Sequence, residues 1–222
     1  EVEFWIALIL FQQGRYAIAR NQLLDFSERH SKSPLVAVAY LRVGDAFYNE
    51  GRYSQADRAY RLMINRFPKH PRRRDAEYGL ILTRLRQKDY PMFVSESTKF
   101  IGKYGGDELA ISLGFQMGEI LLAQGDYDAA LRTYRELLTR HGSNRLAAQA
   151  LLRIANIHKR RNKLDATLDT YESLIARYPQ SPLRADAVFG IAESLASVGR
   201  CAEAKERLGK FIRRYPGHNY IP

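Results

Sequence analysis

Side chains able to do acid–base, nucleophilic or metal chemistry are not grouped into a catalytic or metal-binding motif in this sequence. The five histidines and the single cysteine do not have the spacing of a zinc site. His158 stands beside Lys159 and Arg160, whose positive charges disfavour a metal cation. Neither a phosphate-binding glycine loop nor a Gly-x-Ser-x-Gly nucleophile motif is present. The sequence therefore predicts a protein that is not an enzyme and that uses neither metal nor cofactor.

Positive charge is the other conspicuous chemical feature. The chain has 35 Lys and Arg against 24 Asp and Glu, a net charge of +11. Two clusters form what we call the basic patch: Arg72, Arg73, Arg74, Lys159, Arg160 and Arg161. One interpretation is an outer face that binds nucleic acid or an anionic glycan or lipid surface. The other is a solvated helical face on which opposite charges pair at i,i+3 and i,i+4.

A repeat of 37 residues organises the whole chain. Similar turn triplets begin, at intervals of 37, at Gly14, Gly51, Lys88, Gly125, Asn162 and Gly199. Six such units account for the 222 residues. Apolar residues recur three, four and seven apart around each turn, which predicts two amphipathic helices per unit, each of about fourteen residues. The second helix ends at a proline in three units, at Pro68, Pro179 and Pro216, because proline cannot continue a helix.

Small and aromatic residues at fixed offsets predict how the two helices pack. Small residues stand seven positions before the turn at Ala7, Gly44, Gly118, Ala155 and Ala192, and five after it at Ala19, Ala56, Ala130 and Ala204. Such pairs allow two helices to approach closely. A ring stands sixteen positions after each turn, at His30, Phe67, Tyr104, His141, Tyr178 and Tyr215. Cys201 replaces a tyrosine found in four other units, so we expect it in the core.

These features resemble the tetratricopeptide repeat (TPR) family, whose usual period is 34 residues. The Tyr178-Pro179-Gln180-Ser181-Pro182 loop is similar to a variety found in Gram-negative envelope proteins, such as the outer-membrane assembly lipoprotein and the Tol-Pal-associated coordinator of cell division. The resemblance implies an all-α fold, a right-handed α-solenoid of six helix-turn-helix repeats spanning 1–222. We place the repeats at about 1–33, 34–70, 71–106, 107–143, 144–181 and 182–222.

The same resemblance implies a non-catalytic protein–protein interaction scaffold. It places this scaffold in the periplasm or at the outer membrane, with the cytoplasm as the alternative. In this family the first helix of each repeat lines a concave groove. The corresponding residues form what we call the groove surface: Leu41, Asp45, Tyr48, Tyr78, Leu82, Phe115, Glu119, Leu152, Asn156, Phe189 and Glu193. Rings flanked by acids predict binding of a peptide or helix bearing Lys or Arg. Asp45, Glu119 and Glu193 would select its charge, whereas the rings could instead pack inside the solenoid.

The third repeat departs from the pattern. Ile81 and Phe93 replace the small pair, Arg84 stands where other repeats have an apolar residue, and Gly105-Gly106 replaces the proline loop. One interpretation is a drifted repeat that accommodates a larger pair. The other is a bend or hinge at the two glycines. Both predict a wider separation of the two helices in this repeat.

The first helix is apolar on every side from Phe4 to Phe11, as is usual for a buried helix. This predicts that the chain is a segment of a longer repeat protein, or that it self-associates through this helix. The run is too short to cross a bilayer, which takes about 20 apolar residues.

Overall fold

Helices account for most of the residues that the structure describes. The computed structural model describes residues 1–214, which form twelve α-helices and no strand. They are α1 Val2–Gln12, α2 Tyr16–Arg29, α3 Val36–Asn49, α4 Tyr53–Arg66, α5 Arg73–Arg86, α6 Tyr90–Tyr104, α7 Glu108–Ala123, α8 Tyr127–His141, α9 Leu146–Arg160, α10 Leu164–Arg177, α11 Arg184–Ser197 and α12 Cys201–Arg214. Odd-numbered helices are the A helices of the repeats and even-numbered ones the B helices. The α-solenoid fold of helix-turn-helix repeats is thereby confirmed; Tyr215 and Pro216 lie outside the described residues.

The chain divides into two compact units, residues 1–105 and the residues from Gly106 onward. Unit 1 contains α1–α6 and the described part of unit 2 contains α7–α12. Within each unit a helix packs mainly on the next helix along the chain. The division falls between the two glycines at which the sequence predicts a bend or hinge. A single continuous solenoid over 1–222 stays a prediction.

The turn between the A and B helices needs a residue in the left-handed conformation. Four turns use glycine, with φ between 73° and 80° at Gly14, Gly51, Gly125 and Gly199. In the other two turns the same conformation is adopted by Lys88, with φ of 60°, and by Asn162, with φ of 55°. A side chain with a Cβ is strained in this region, and asparagine tolerates it better than lysine.

Replacing Lys88 by glycine is therefore expected to stabilise unit 1. We expect Lys88→Gly to raise the free energy of unfolding by about 0.5–1 kcal/mol, after the entropy cost of glycine is subtracted. Asn162→Gly should have a smaller effect, since asparagine is less strained there. Urea unfolding followed by circular dichroism measures both. A loss of stability in Lys88→Gly would contradict the assignment of strain to this turn.

Glycines in the A helices accommodate buried tyrosine rings. Tyr60 of α4 is 2% exposed and lies between Gly44 of α3 and Gly79 of α5. A Cβ added at Gly44 would lie 2.5 Å from Tyr60 Cε1, and one added at Gly79 would lie 2.5 Å from Tyr60 Cζ. Similar contacts hold between Gly118 and the ring of Tyr134, and between Gly190 and the ring of Tyr171. Gly44 and Gly118 belong to the small residues of the sequence pattern, whereas Gly79 and Gly190 stand nine positions before their turns, and all four make room for a large ring of a B helix.

In the third repeat the larger pair is fully packed. Ile81 is 3% exposed and Phe93 is 0% exposed. The contact between α5 and α6 is less extensive than that between α3 and α4, which agrees with the wider separation predicted for this repeat. Arg84 is drawn into ion pairs, with Asp57 of α4 and, at 3.7 Å, with Glu96 of α6.

The rings that end the B helices serve local packing. His30 lies 5.0 Å from Phe26 between ring centroids, and Tyr104 lies 4.7 Å from Phe100. The hydroxyl of Tyr178 donates a hydrogen bond to the Gly142 carbonyl oxygen at 2.5 Å. The prediction that Cys201 packs in the core is wrong, because it is the first residue of α12 and is exposed.

Helix α1 exposes apolar side chains on the side away from α2. Val2 is 72%, Ile6 46% and Ile9 54% exposed. The equivalent residues one repeat later are Ala39, Val43 and Ala46, and each is at most 2% exposed. Extension of the repeat array and self-association through α1 both stay predictions. Within residues 1–214 no helix is long and apolar enough to span a bilayer.

Candidate functional site

The groove surface predicted from the sequence lies on five A helices, and the structure gives its members different accessibility. In unit 1 it lies on α3 and α5, and in unit 2 on α7, α9 and α11. Most members are half-buried and Glu193 is exposed. Leu41 is the exception, since it is only 3% exposed. This is a correction to the prediction, because Leu41 has almost no surface left to contact a ligand.

The rings of the groove surface pack against the B helix of their own repeat. Ring centroids are 6.2 Å apart for Tyr78 and Phe100, and 5.7 Å apart for Phe115 and Tyr134. Phe189 lies 5.9 Å from Phe211 in the same way. Each of the three rings is therefore partly used in internal packing, and only its remaining edge is available to a partner.

A tyrosine of the B helix binds the polar residue of the A helix in three repeats. Tyr60 donates a hydrogen bond to Asp45 Oδ1 at 2.8 Å, and Tyr171 donates to Asn156 Oδ1 at 2.8 Å. Tyr134 donates to Glu119 Oε1 in the same way. The two residues are fifteen positions apart in each case. These bonds hold the polar side chains of the groove surface in fixed positions.

The sequence contains a signal for these bonds in a pair of positions, which neither position shows when it is considered alone. The polar residue stands six positions before the turn and the tyrosine nine after it. In the first and third repeats the tyrosine is absent, with Leu23 and Ser97 in its place, and the earlier position holds Leu8 and Leu82. The two positions therefore change together in the first five repeats, whereas the sixth combines Glu193 with Leu208.

Each of the three acids of the groove surface also pairs with a basic side chain, which is an arginine in two cases and a lysine in the third. Arg42 Nη1 donates to Asp45 Oδ2 at 2.9 Å. Arg153 approaches Glu119 with two nitrogens, at 2.7 and 3.1 Å. Lys159 Nζ lies 2.6 Å from Glu193. All three acids predicted to select a basic ligand thus have a cationic partner within their own unit.

The environments of Asp45 and Glu119 shift their pKa values in opposite directions. Burial raises the pKa of Asp45, and the bonds from Tyr60 and Arg42 offset this only in part. Burial also acts to raise the pKa of Glu119, but the hydrogen bonds from Arg153 and Tyr134 outweigh it, so the pKa is lowered. Both carboxyls are therefore integrated into the fold. The prediction that these acids select a basic ligand therefore concerns carboxyls that already have partners within the fold.

Two arginines near the same surface lack an acidic partner among the described residues. Arg86 on α5 and Arg160 on α9 occupy the same position, two residues before the turn. Arg86 Nε donates to the hydroxyl of Tyr48 at 2.9 Å, and its guanidinium lies 5.9 Å from the ring. Arg160 is exposed and lines a cavity of about 290 Å³ in unit 2, together with Arg153 and Asn156. Sequence reasoning assigned Arg160 only to the basic patch and did not single out Arg86.

The basic patch is largely neutralised. Five of its six members have acidic partners: Arg72 and Arg74 with Asp75 at 2.9 and 3.4 Å, Arg73 with Glu77 at 2.8 Å, Lys159 with Glu193 at 2.6 Å, and Arg161 with Asp128 at 2.8 Å. This is the pattern of a solvated helical face with paired charges. It does not favour the alternative of a surface for nucleic acid or another anionic polymer.

His158 is a buried residue of the helix packing. It is 7% exposed on α9. Burial, followed by the charges of Arg135, Lys163 and Arg161, lowers the pKa of its imidazole. Within residues 1–214, no group of three or more His, Cys, Asp or Glu side chains is arranged to hold a metal ion.

Comparison with known proteins identifies the repeat. Residues 6–71 and 115–182 match a family model described as tetratricopeptide repeat, and residues 186–218 match a second model of that description. The chain belongs to the tetratricopeptide repeat family. TPR proteins bind peptide partners, and the TPR fold is generally a non-catalytic scaffold.

Solved TPR structures share the fold over most of the chain. The C-terminal part of a TPR protein from Cytophaga hutchinsonii has a TM-score of 0.70 at 11% identity, covering 96% of this chain and 79% of that one. The MamA protein has a TM-score of 0.62 at 16% identity, covering 83% and 94%. YrrB, a TPR protein with an unusual peptide-binding site, has a TM-score of 0.56 at 16% identity, covering 82% and 87%. At such identities the likeness concerns the fold alone, and no curated protein matches the chain.

Proposed function

We propose that this TPR chain is a non-catalytic scaffold whose A-helix surfaces bind a peptide or helix from a partner protein. Family membership supports an interaction role, and the structure supports a surface prepared in advance. The polar groups Asp45, Glu119 and Asn156 are each fixed by a tyrosine of the B helix. A ligand that meets fixed groups loses less free energy to ordering of the protein.

The single observation that carries the charge preference is the pairing of the acids while Arg86 and Arg160 stay unpaired. Because each acid of the groove surface is paired with a basic neighbour, the unpaired charge beside this surface is that of Arg86 and Arg160. We therefore propose a partner segment with apolar residues and at least one acidic residue. This replaces the basic segment expected from the sequence.

A binding measurement with matched peptides tests the charge preference. The probes are two fluorescent amphipathic peptides that differ only in having Glu or Lys at their charged positions. We expect the acidic peptide to bind more tightly, and Arg86→Gln and Arg160→Gln to weaken its binding by up to about fivefold each, the upper end of the range for an exposed ion pair. Fluorescence anisotropy on the full chain measures the affinities.

Control variants separate local recognition from net charge. Arg58 and Arg132 are exposed arginines of the B helices α4 and α8. Arg58→Gln and Arg132→Gln remove the same charge from unit 1 and unit 2, and each should leave the affinity within about twofold. If the control and test variants weaken binding equally, only the overall charge matters and the groove proposal fails.

We also propose that the scaffold acts in an assembly of the bacterial cell envelope, in the periplasm or at the outer membrane. The support is the resemblance of the Tyr178-Pro179-Gln180-Ser181-Pro182 loop to the variety with a period of 37 residues. Fractionation of cells that express the parent protein, followed by immunoblotting, tests this. Recovery in the cytoplasmic fraction alone would contradict it.

A further inference from the structure

Unit 1 contains a cavity away from the groove surface. It has a volume of about 250 Å³ and is bounded by α4, α5 and α6; we call it the cleft. Its apolar wall is made by Ile64 of α4, Leu80 and Ile81 of α5 and Phe100 of α6. Leu80, Ile81 and Phe100 are at most 7% exposed, so they form the bottom of the cleft.

The cleft lies in the repeat that departs from the pattern. Ile81 stands where other repeats have glycine or alanine, and the partner position on α6 holds Phe93. The α5–α6 contact is less extensive than that of α3 with α4. A larger pair between two helices holds them further apart, which leaves room beside Ile81. The substitutions that distinguish this repeat thus account for the presence of an apolar cavity there.

The rim of the cleft carries an excess of positive charge. Arg61, Lys99 and Lys103 line it together with Glu77 and Glu96. Lys103 pairs with Glu77 at 3.1 Å, and Glu77 also pairs with Arg73 at 2.8 Å. Glu77 thus has two basic neighbours.

The second acid of the rim is balanced in the same way. Glu96 lies 3.9 Å from Arg61 and 3.7 Å from Arg84. Burial raises the pKa of its carboxyl, and the charges of Arg84 and Arg61 offset this in part. Lys99 has no acidic partner at ion-pair distance among the described residues and is exposed.

We propose that the cleft binds a small amphipathic carboxylate. The apolar body of the ligand would lie against Leu80, Ile81 and Phe100, and its carboxylate would pair with Lys99. Sites for small molecules are typically mostly apolar cavities with a few charged groups that orient the ligand, and the cleft has this composition. The proposal concerns a different surface from the groove and does not depend on peptide binding there.

Titration with octanoate, followed by methyl NMR of the full chain, tests the proposal. We expect saturable shifts of the methyl signals of Ile64 and Ile81, and none for Ile154 and Ile191 in unit 2. Lys99→Gln should weaken octanoate binding about fivefold, as expected for loss of one exposed ion pair. Because Lys99 is exposed, this variant is expected to fold normally.

Two controls make the outcome decisive. Octanamide has the same apolar body without the charge, so it should bind more weakly than octanoate and be insensitive to Lys99→Gln. Lys32→Gln removes an equal charge from the exposed α2–α3 loop and should have no effect. Shifts that are absent, that are unaffected by Lys99→Gln, or that are equally large at Ile6 and Ile9 of α1 would overturn the proposal.

Discussion

Gly79→Ala is expected to destabilise unit 1 by about 1–3 kcal/mol, the cost of adding a methyl group to a packed core. The new Cβ would lie 2.5 Å from Tyr60 Cζ, closer than Cβ contacts occur in proteins. The ring cannot move away, because Gly44 contacts it from α3 and its hydroxyl binds Asp45. We therefore expect strain in α3, α4 and α5 together.

Hydrogen exchange on the full chain measures this effect locally, which suits a repeat protein whose parts need not unfold together. Peptides from α3 to α5 should lose protection, while those from α9 and α10 serve as an internal reference. Gly102→Ala in α6 is the matched control, since its Cβ would meet no heavy atom within 4 Å. That variant should be stabilised by up to about 1 kcal/mol, the helix preference of alanine. Equal effects of the two substitutions would contradict the role of the Tyr60 packing.

Charge reversal at the three acids of the groove surface is expected to reduce stability in the order Asp45, Glu119, Glu193. Their side chains are 23%, 35% and 54% exposed. Asp45→Lys places a second cation beside Arg42 and removes the acceptor of the buried Tyr60 hydroxyl. We expect it to cost about 2–4 kcal/mol. Glu193→Lys breaks one exposed pair and should cost less than about 1 kcal/mol.

Urea unfolding of the three single variants, followed by circular dichroism, tests this order. Each substitution raises the net charge by the same amount, so the overall charge is controlled. Three equal losses of stability would mean that the internal pairs contribute nothing specific. The expected order also means that a triple reversal is a poor binding test, because loss of binding could follow from unfolding of unit 1.

The fold could be predicted because the residues that determine it recur at fixed offsets. Turn glycines, small pairs and prolines recur at an interval that no insertion disturbs, and each has one main structural meaning. The hydrogen bonds of the tyrosines could in principle be predicted from the sequence, because in five of the six repeats tyrosine is present where the paired position is polar and absent where it is leucine. This coupling is visible only when the two positions are compared across repeats as a pair.

The charge of the candidate site was harder to predict, because it depends on contacts between neighbouring repeats. Arg153 and Glu119 are 34 residues apart, and nothing in a helical pattern shows that they meet. Arg153 stands where Gly79 and Gly190 stand in other repeats, which marks it as unusual without naming its partner. The cleft was hard to predict for the same reason. Ile81 and Phe93 indicate a larger pair of side chains, but they do not indicate the space beside that pair.

The packing of each helix mainly on its successor has a consequence for folding kinetics. Contacts between residues close in sequence give a low contact order, and chains of this kind fold quickly, on the microsecond to millisecond scale for small helical domains. Because each repeat needs only its neighbours, folding can begin at more than one place within a unit. We expect the second repeat, where Tyr60 joins α3, α4 and α5, to form early in the folding of unit 1. Variants at Gly44 and Gly79 should therefore slow folding, whereas the strained turn at Lys88 should affect mainly the rate of unfolding.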